Sequence, residues 1–322
     1  MKIAVVGCGA LGSYYGAKLS RDGQEVHFLL RSDYEVVRRN GVEIHSPEGG
    51  FHAQPRCASD PSVIGVCDLV LIGLKTTAND QFRRLLPPLV GPDSAVLTLQ
   101  NGLGNEAQLA ALFPGGQILG GLCFVCLNRV EPGVIHHLGH GKIVLGEYQR
   151  LAGPRAHDLA TMFQHAGVPC AVTDNLERTH WEKLGWNIPF NGLGVAAAAG
   201  YDALAGAAIP PSLESCLTTD KLLATSRWEQ LVRELMLEVI AAANAMGLSV
   251  RESLAEKQIE RTRTMGAYKA STLVDFERGQ PLELESMFLM PLRQAQQAGA
   301  AMPRLAALCA VLRELEVRRK RD

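Results

Sequence analysis

The chain has 322 residues, 47% of them hydrophobic, and its 32 Lys and Arg against 33 Asp and Glu give a formal net charge of -1. That length exceeds what one hydrophobic core usually organises, so two domains are expected; the balanced charge excludes a nucleic-acid footprint, and no apolar run reaches the roughly 18 residues a membrane helix needs. The start MKIAVVGCGALG is broken by glycines and lacks the build of a signal peptide, and eight cysteines are scattered through mostly apolar surroundings, so a soluble cytoplasmic protein with reduced, core-filling thiols is expected.

Residues 2 to 6, KIAVV, read as a strand, GCGALG as a turn opening a helix that ends near Asp22 and Gly23, and EVHFLL as a second strand. In that setting Gly7, Gly9 and Gly12 meet the spacing GxGxxG. The three glycines serve, in order, the tight turn, the close approach of backbone to a pyrophosphate, and the close packing of helix on strand. The helix starting near Ala10 would present its unpaired N–H groups to the diphosphate. An acid at the end of the second strand would bond the ribose 2'-hydroxyl of NAD. Here the strand runs into Arg31 and Ser32, and an arginine favours the 2'-phosphate of NADP, with neighbouring Asp33 pulling the other way. NADP is the expected cofactor.

Further apolar runs follow as DLVLIGLK (68 to 75), SAVLTLQNG (94 to 102) and QILGGLCFV (117 to 125). Alternation with helical segments predicts a parallel sheet covered on both faces. Lys75 and Asn101 close two of these strands, at the carboxyl edge where such sheets bind ligands. Taken singly, they read equally well as an exposed strand-end lysine and a turn former in QNGLG. Cys123 and Cys126 have CxxC spacing without a second pair and lie in strand-like sequence. PGVIHHLGHGKIVLGE (132 to 147) reads as two strands joined by glycines. His136, His137 and His140 fall on it with no carboxylate at useful spacing, so no metal site is expected.

After YQRLAGPR and one more helix and strand, the pattern turns helical. The expected fold class is α/β: a Rossmann-type dinucleotide-binding domain over residues 1–173, followed by an all-helical domain over 174–322 that holds the substrate and catalytic groups. HWEKLGWNIPFNGLG (180 to 194) sets Lys183, Asn187 and Asn191 four residues apart, hence about 40° apart on a helix, in one polar row. If that helix crosses between the domains, the row faces the nicotinamide cleft. Pro189 should kink or loosen it. Trp181 and Trp186 read as helix packing, and GVAAAAGYDALAGAAIPPS (194 to 212) as a loop or frayed insertion. SRWEQLVRELMLEVIAAANAMG predicts a long helix with Ser226 and Glu229 as a capping box and Gly247 as its stop. Gly279, Gln280 and Pro281 leave Ser271 and Asp275 on one helix and put Glu283 in the first turn of the next, where the helix dipole alone favours an acid. The closing run VRRKRD reads as a solvated helix end.

GCGALG, LK at 74 and 75, QNGLG at 100 to 104, WEKLGWNIPFN at 181 to 191 and STLVDFERGQPLELE at 271 to 285 together resemble the ketopantoate reductase family, over nearly the whole chain. The resemblance implies an active site between the domains and NADPH-dependent reduction of 2-dehydropantoate to (R)-pantoate, in pantothenate and coenzyme A synthesis. It implies that Lys183 is the general acid, that Glu283 binds the substrate hydroxyl, and that Asn101, Asn187, Asn191 and Ser271 are substrate-binding groups. For the cofactor it implies the turn Gly7, Cys8, Gly9, Ala10, Leu11 and Gly12, the 2'-phosphate ligand Arg31, and Lys75, Asn101 and Glu283 near the nicotinamide.

Three departures bear on substrate. Gly192 stands where many relatives carry proline, the segment to about Pro211 is longer and alanine-rich, and a further substrate-binding asparagine has only Thr219 as a loose positional match. Hydride addition to a ketone builds negative charge on oxygen, and a lysine, ordinarily protonated at neutral pH, suits the proton donor. An NADPH-dependent reductase or dehydrogenase of another 2-oxo or 3-hydroxy acid, and a nucleotide-binding sensor without turnover, stay open as alternatives. The expected partner is a small 2-oxo acid, with neither nucleic acid nor membrane; a homodimer is compatible with a sequence that does not fix oligomeric state.

Overall fold

The structure, a computed structural model, describes residues 1 to 319. Lys320, Arg321 and Asp322 of the run VRRKRD lie outside the described residues. Two compact units emerge, Met1–Leu176 and a second from Glu177 onward, against the expected division after residue 173.

In chain order the first unit runs β1 (Lys2–Val6), α1 (Ala10–Arg21), β2 (Glu25–Leu29), α2 (Tyr34–Asn40), β3 (Val42–His45), β4 (Phe51–Ala53), β5 (Arg56–Ala58), α3 (Pro61–Ile64), β6 (Cys67–Ile72), α4 (Phe82–Leu85), β7 (Val90–Thr98), α5 (Asn105–Ala110), β8 (Ile118–Glu131), β9 (Val134–Glu147), α6 (Pro154–His165) and β10 (Cys170–Val172). The strands form one sheet in the order β4-β3-β9-β8-β7-β6-β1-β2-β5, with β10 beside β9. From β5 to β8 every neighbour is parallel. The alternation of strand side chains explains how both faces are buried. Ile3, Val5, Leu69, Leu71 and Leu97 join one core with Tyr15 of α1 and Phe163 of α6, whereas Ala4, Val6, Val70, Ile72 and Val96 join the other with Phe82 and Leu109.

The sheet is mixed rather than purely parallel, because β8 and β9 are antiparallel partners. The segment expected as two strands joined by glycines is one strand, β9, and its hairpin partner is the longer-than-expected β8. Its glycines lie at irregular pairing instead of a reversal: His140 and Gly141 take φ of 64° and 129° beside the register shift at Phe124/Val125. The outer half of this hairpin pairs with β3, and the sheet contacts α1 through β1, β2, β3, β4, β8 and β9. Tyr15 Oη of α1 donates to Gly141 O (3.2 Å), and the Tyr14 ring lies 4.7 Å from that of buried His137.

The second unit is helical, without strands among its described residues: α7 (Leu176–Ala196), whose first residue belongs to the first unit, α8 (Thr219–Ala224), α9 (Ser226–Ala245), α10 (Ser253–Arg263), α11 (Ser271–Glu277), a π-helical turn (Glu285–Leu289), α12 (Met290–Gln297) and α13 (Pro303–Arg319). Pro189 does not end α7. Ile188, Phe190, Leu193 and Val195 are all at most 1% exposed, and that packing holds the helix through the missing backbone donor. The first part of the alanine-rich stretch is core rather than a frayed insertion, with Ala197, Ala198 and Ala199 buried in a short 3₁₀ turn and Glu214 N–H donating to Ala198 O (2.8 Å), whereas Ala205 to Ala208 and Pro211 are exposed, as a loop would be. Toward its end, Arg318 of α13 donates to Ile209 O and Pro210 O.

The capping box of α9 does not form. Thr225 occupies the cap position, and the Glu229 carboxylate accepts instead from Arg233 (3.1 Å) and Arg263 (2.8 Å), both charge-assisted bonds. The stop at Gly247 (φ 80°) is a Schellman motif, with Leu248 N–H on Ala243 O and Gly247 N–H on Asn244 O. No helix among the described residues is long and apolar enough to cross a membrane.

Candidate active site

Because β1, β2, β6 and β7 are parallel, their carboxyl ends share one edge, and the glycine turn, Arg31, Lys75 and Asn101 all follow those ends. The three glycines of the turn differ in what surrounds them. Gly7 has φ 97°, and a Cβ there would sit 2.3 Å from Leu74 N; a Cβ on Gly12 would sit 2.2 Å from Gly7 O. Both positions are closed by the protein's own backbone. At Gly9 a Cβ would meet nothing within 4 Å. Gly9 also precedes α1 and supplies no side-chain cap to its first-turn N–H groups. This cradle fits a diphosphate, with the backbone from Cys8 to Gly12 as its wall. The Cys8 thiol points away, toward Val5 O (3.4 Å) and Leu29 O (3.6 Å). Its pKa is pushed well above the usual thiol range, first by burial, then by Cys57 and the Asp33 carboxylate.

Arg31 is exposed. Lys75 lies three residues past Ile72 and opens a 3₁₀ turn, Thr76–Gln81, rather than ending β6; Asn101 likewise lies beyond the end of β7 at Thr98. A chain of side-chain amides ties these two loops together. Thr98 Oγ1 donates to Gln100 Oε1 (2.9 Å), Gln100 Nε2 to Asn79 Oδ1 (2.7 Å), Asn79 Nδ2 to Asn105 Oδ1 (3.0 Å) and Asn105 Nδ2 to Asn101 O (3.1 Å). Asn105 is fully buried, so each bond it makes also spares a desolvated amide. The backbone that carries Lys75 is thereby fixed relative to the backbone that carries Asn101.

In the second unit, α7 carries the polar row. Lys183 is half-buried, and Asn187 and Asn191 are 6% and 2% exposed. Asn191 Oδ1 accepts from Thr272 N–H (2.9 Å) and Ser271 Oγ (3.2 Å), so it caps the start of α11 from another helix. Glu283, buried at 5% exposure, stands just before the first turn rather than inside it, and its carbonyl accepts from Met287 N–H (3.2 Å). The turn it introduces is π-helical, a geometry found often at functional sites. Helix α13 holds the strand-like approach to Glu283: Arg319 bonds Gln280 O, and Glu316 accepts from Leu282 N–H (3.4 Å) and Arg319 (3.2 Å). Thr219 is occupied elsewhere, its hydroxyl donating to Gly266 O (2.8 Å).

The family model described as Ketopantoate reductase PanE/ApbA matches residues 3–150, and that of its C terminal matches residues 212–316. A curated protein of Nostoc sp. named 2-dehydropantoate 2-reductase is 39% identical over 99% of this chain and 96% of its own. The chain belongs to the ketopantoate reductase family. A crystal structure of 2-dehydropantoate 2-reductase from Geobacter metallireducens is 46% identical with a TM-score of 0.89, covering 98% of this chain and 99% of its own. A ternary structure of D-mandelate dehydrogenase with NADH and anilino(oxo)acetate, 20% identical, shares the fold at a TM-score of 0.83, covering 99% of this chain and 100% of its own. The chain is thus an oxidoreductase with a Rossmann-type first domain and a helical second one, as the ketopantoate reductase resemblance implied.

Within this ketopantoate reductase frame, Asn191 and Ser271 are in direct contact, and the glycine turn, Arg31, Lys75 and Asn101 share one sheet edge. Asn79, Gln100, Asn105, Glu316 and Arg319 are not singled out by the sequence. Each acts through contacts 20 or more residues away or within a turn that any Asx residue would suit, except for the short Thr98 and Asn101 links. Gly192 also finds a reason. A Cβ there would lie 2.5 Å from Leu308 Cδ2 and 2.9 Å from a Phe288 ring carbon, so the small residue lets α13 and the π turn pack onto α7. His136, His137 and His140 lie on β9, where His137 bonds Ser46 Oγ (2.8 Å) and His140 O (3.0 Å). No group of three or more His, Cys, Asp or Glu able to hold a metal occurs among the described residues. Cys123 and Cys126 are buried in β8 and are not joined by a disulfide.

Proposed function

We propose that this protein reduces 2-dehydropantoate to (R)-pantoate with NADPH, and that Lys183 is the general acid. The family and the names of its relatives support the reaction; the polar row on α7, with Asn191 fastened to Ser271, is the observation that carries the chemistry. NADPH, when bound, supplies a hydride to the carbonyl carbon. The residues of the chain bind the cofactor, deliver a proton and orient the substrate. The backbone from Gly7 to Gly12 binds the diphosphate, and Arg31 binds the ribose 2'-phosphate. Lys183 delivers a proton to the carbonyl oxygen as negative charge grows there and is reprotonated from solvent, which balances the reduction of ketone to alcohol. Asn187, one turn from Lys183, orients ammonium and substrate, Glu283 accepts from the substrate hydroxyl, and Asn191 sets Ser271 at the start of α11. Lys75 and Asn101, locked by the amide chain, hold the nicotinamide end.

Loss of NADPH absorbance with 2-dehydropantoate, run beside NADH and a panel of 2-oxo acids, tests the reading. Fast, NADPH-selective turnover supports it. Tight NADPH binding without turnover on 2-dehydropantoate moves the substrate to another 2-oxo or 3-hydroxy acid. Lys183→Ala is expected to lower kcat by about 10² to 10⁴ with NADPH affinity unchanged, because the interaction is made in the transition state. Near-wild-type turnover would remove Lys183 from the mechanism.

A further inference from the structure

The end of β2 carries two contradictory signals. Arg31 suits a 2'-phosphate, whereas an acid in this region accepts from a 2'-hydroxyl and repels a phosphate. Asp33 is such an acid, two residues from Arg31, yet its carboxylate is not presented to solvent. Its side chain is only 9% exposed. One oxygen accepts from Ser32 Oγ (2.8 Å), and the other is paired with the guanidinium of Arg129. Arg129 comes from β8, which is separated from β2 in the sheet by β7, β6 and β1. It reaches Asp33 because the β8–β9 hairpin curls back to pair with β3, where Glu43 stands opposite Val134. The site concerned is the nucleotide turn itself: the Asp33 carboxylate is among the groups that raise the Cys8 thiol, after burial and Cys57.

We infer that Arg129 is a positioning residue for cofactor selectivity. By neutralising and pinning Asp33, it keeps that carboxylate from reading the ribose and leaves Arg31 to set the preference for a 2'-phosphate. The inference rests on the NADPH reading of the proposed function. It differs from a purely structural role, in which the ion pair fastens the hairpin to the start of α2 and its loss weakens both cofactors alike.

Dissociation constants for NADPH and NADH, measured by fluorescence titration on the full chain, test it in wild type, Arg31→Ala, Arg129→Ala, Asp33→Asn and the Arg129→Ala/Asp33→Asn double variant. Arg129→Ala is expected to lower the NADPH-over-NADH ratio by about tenfold, and the double variant to restore it to within about threefold of wild type, since the uncovered charge is then gone. Asp33→Asn alone should leave the ratio nearly unchanged. An unchanged ratio in Arg129→Ala, or equal loss of both cofactors with a lower Tm, overturns the inference. So does a double variant as unselective as Arg129→Ala, which would make Arg129 a direct phosphate ligand. A wild type without NADPH preference, unaffected by Arg31→Ala, instead overturns the NADPH reading; a rise in NADH affinity in Arg129→Ala that Asp33→Asn reverses would still identify the silencing of Asp33.

Discussion

Two helices in this protein begin in opposite ways. Helix α1 follows Gly9, which has no side chain to cap it and where a Cβ would meet nothing within 4 Å, whereas α11 begins with its Thr272 N–H taken by Asn191 Oδ1. The unpaired N–H groups at any helix start must be satisfied by something. At α11 the protein supplies the partner from α7, whereas Gly9 before α1 supplies no side-chain partner. The difference separates a start capped by packing from the one proposed above to take the diphosphate, although the sequence marks both with small or polar residues.

Substitutions in the glycine turn break this comparison most sharply. Gly12→Ala places a methyl 2.2 Å from Gly7 O, backbone that has no room to retreat. The expected loss is about 3 kcal/mol of stability or more, seen as a lower denaturation midpoint together with lost cofactor binding. Gly9→Ala should behave differently. Its φ of -75° suits any residue and its Cβ meets nothing, so the fold should be retained. Dinucleotide affinity should fall about ten- to a hundredfold, because the methyl fills the space the diphosphate needs, and titration against an unchanged Tm reads this out. Equal affinity in Gly9→Ala would mean that the open space beside α1 is not the cofactor's.

How much of this is legible in the sequence depends on how local each determinant is. KIAVVGCGALG holds strand, turn and helix start within a dozen residues, so the sheet edge and cradle can be read directly. The Schellman stop at Gly247 is equally local. The capping role expected of Glu229 fails because its carboxylate is shared by Arg233, one turn on, and Arg263, 34 residues on, and only the first of these is local. β9 reads as two strands because glycines mark both turns and bulges, and only the register with β8 distinguishes them. The alanine-rich stretch has the composition of a loop, but small side chains also permit close helix packing, and burial separates its packed first part from its largely exposed second part. The row on α7 is visible as spacing. What the spacing cannot reveal is that its third member is already engaged with α11.

That engagement yields the smaller effects. Asn191→Ala leaves Thr272 N–H and Ser271 without their acceptor at a site only 2% exposed, a loss expected to cost about 1–3 kcal/mol in stability. Ser271→Ala removes one donor and leaves the backbone bond to Asn191 intact, so about 0.5–1.5 kcal/mol is expected. Denaturant unfolding of the two single variants and the double tests whether the residues act together. If Asn191 works by holding the start of α11, the double variant should cost no more than Asn191→Ala alone, since Ser271 loses its partner in either case. Additive costs would mean that the hydroxyl has a second role independent of Asn191. Turnover then locates that role: a Ser271→Ala variant with native stability and a raised KM would place the hydroxyl on the substrate, while a normal KM would leave Ser271 as part of the cap that distinguishes α11 from α1.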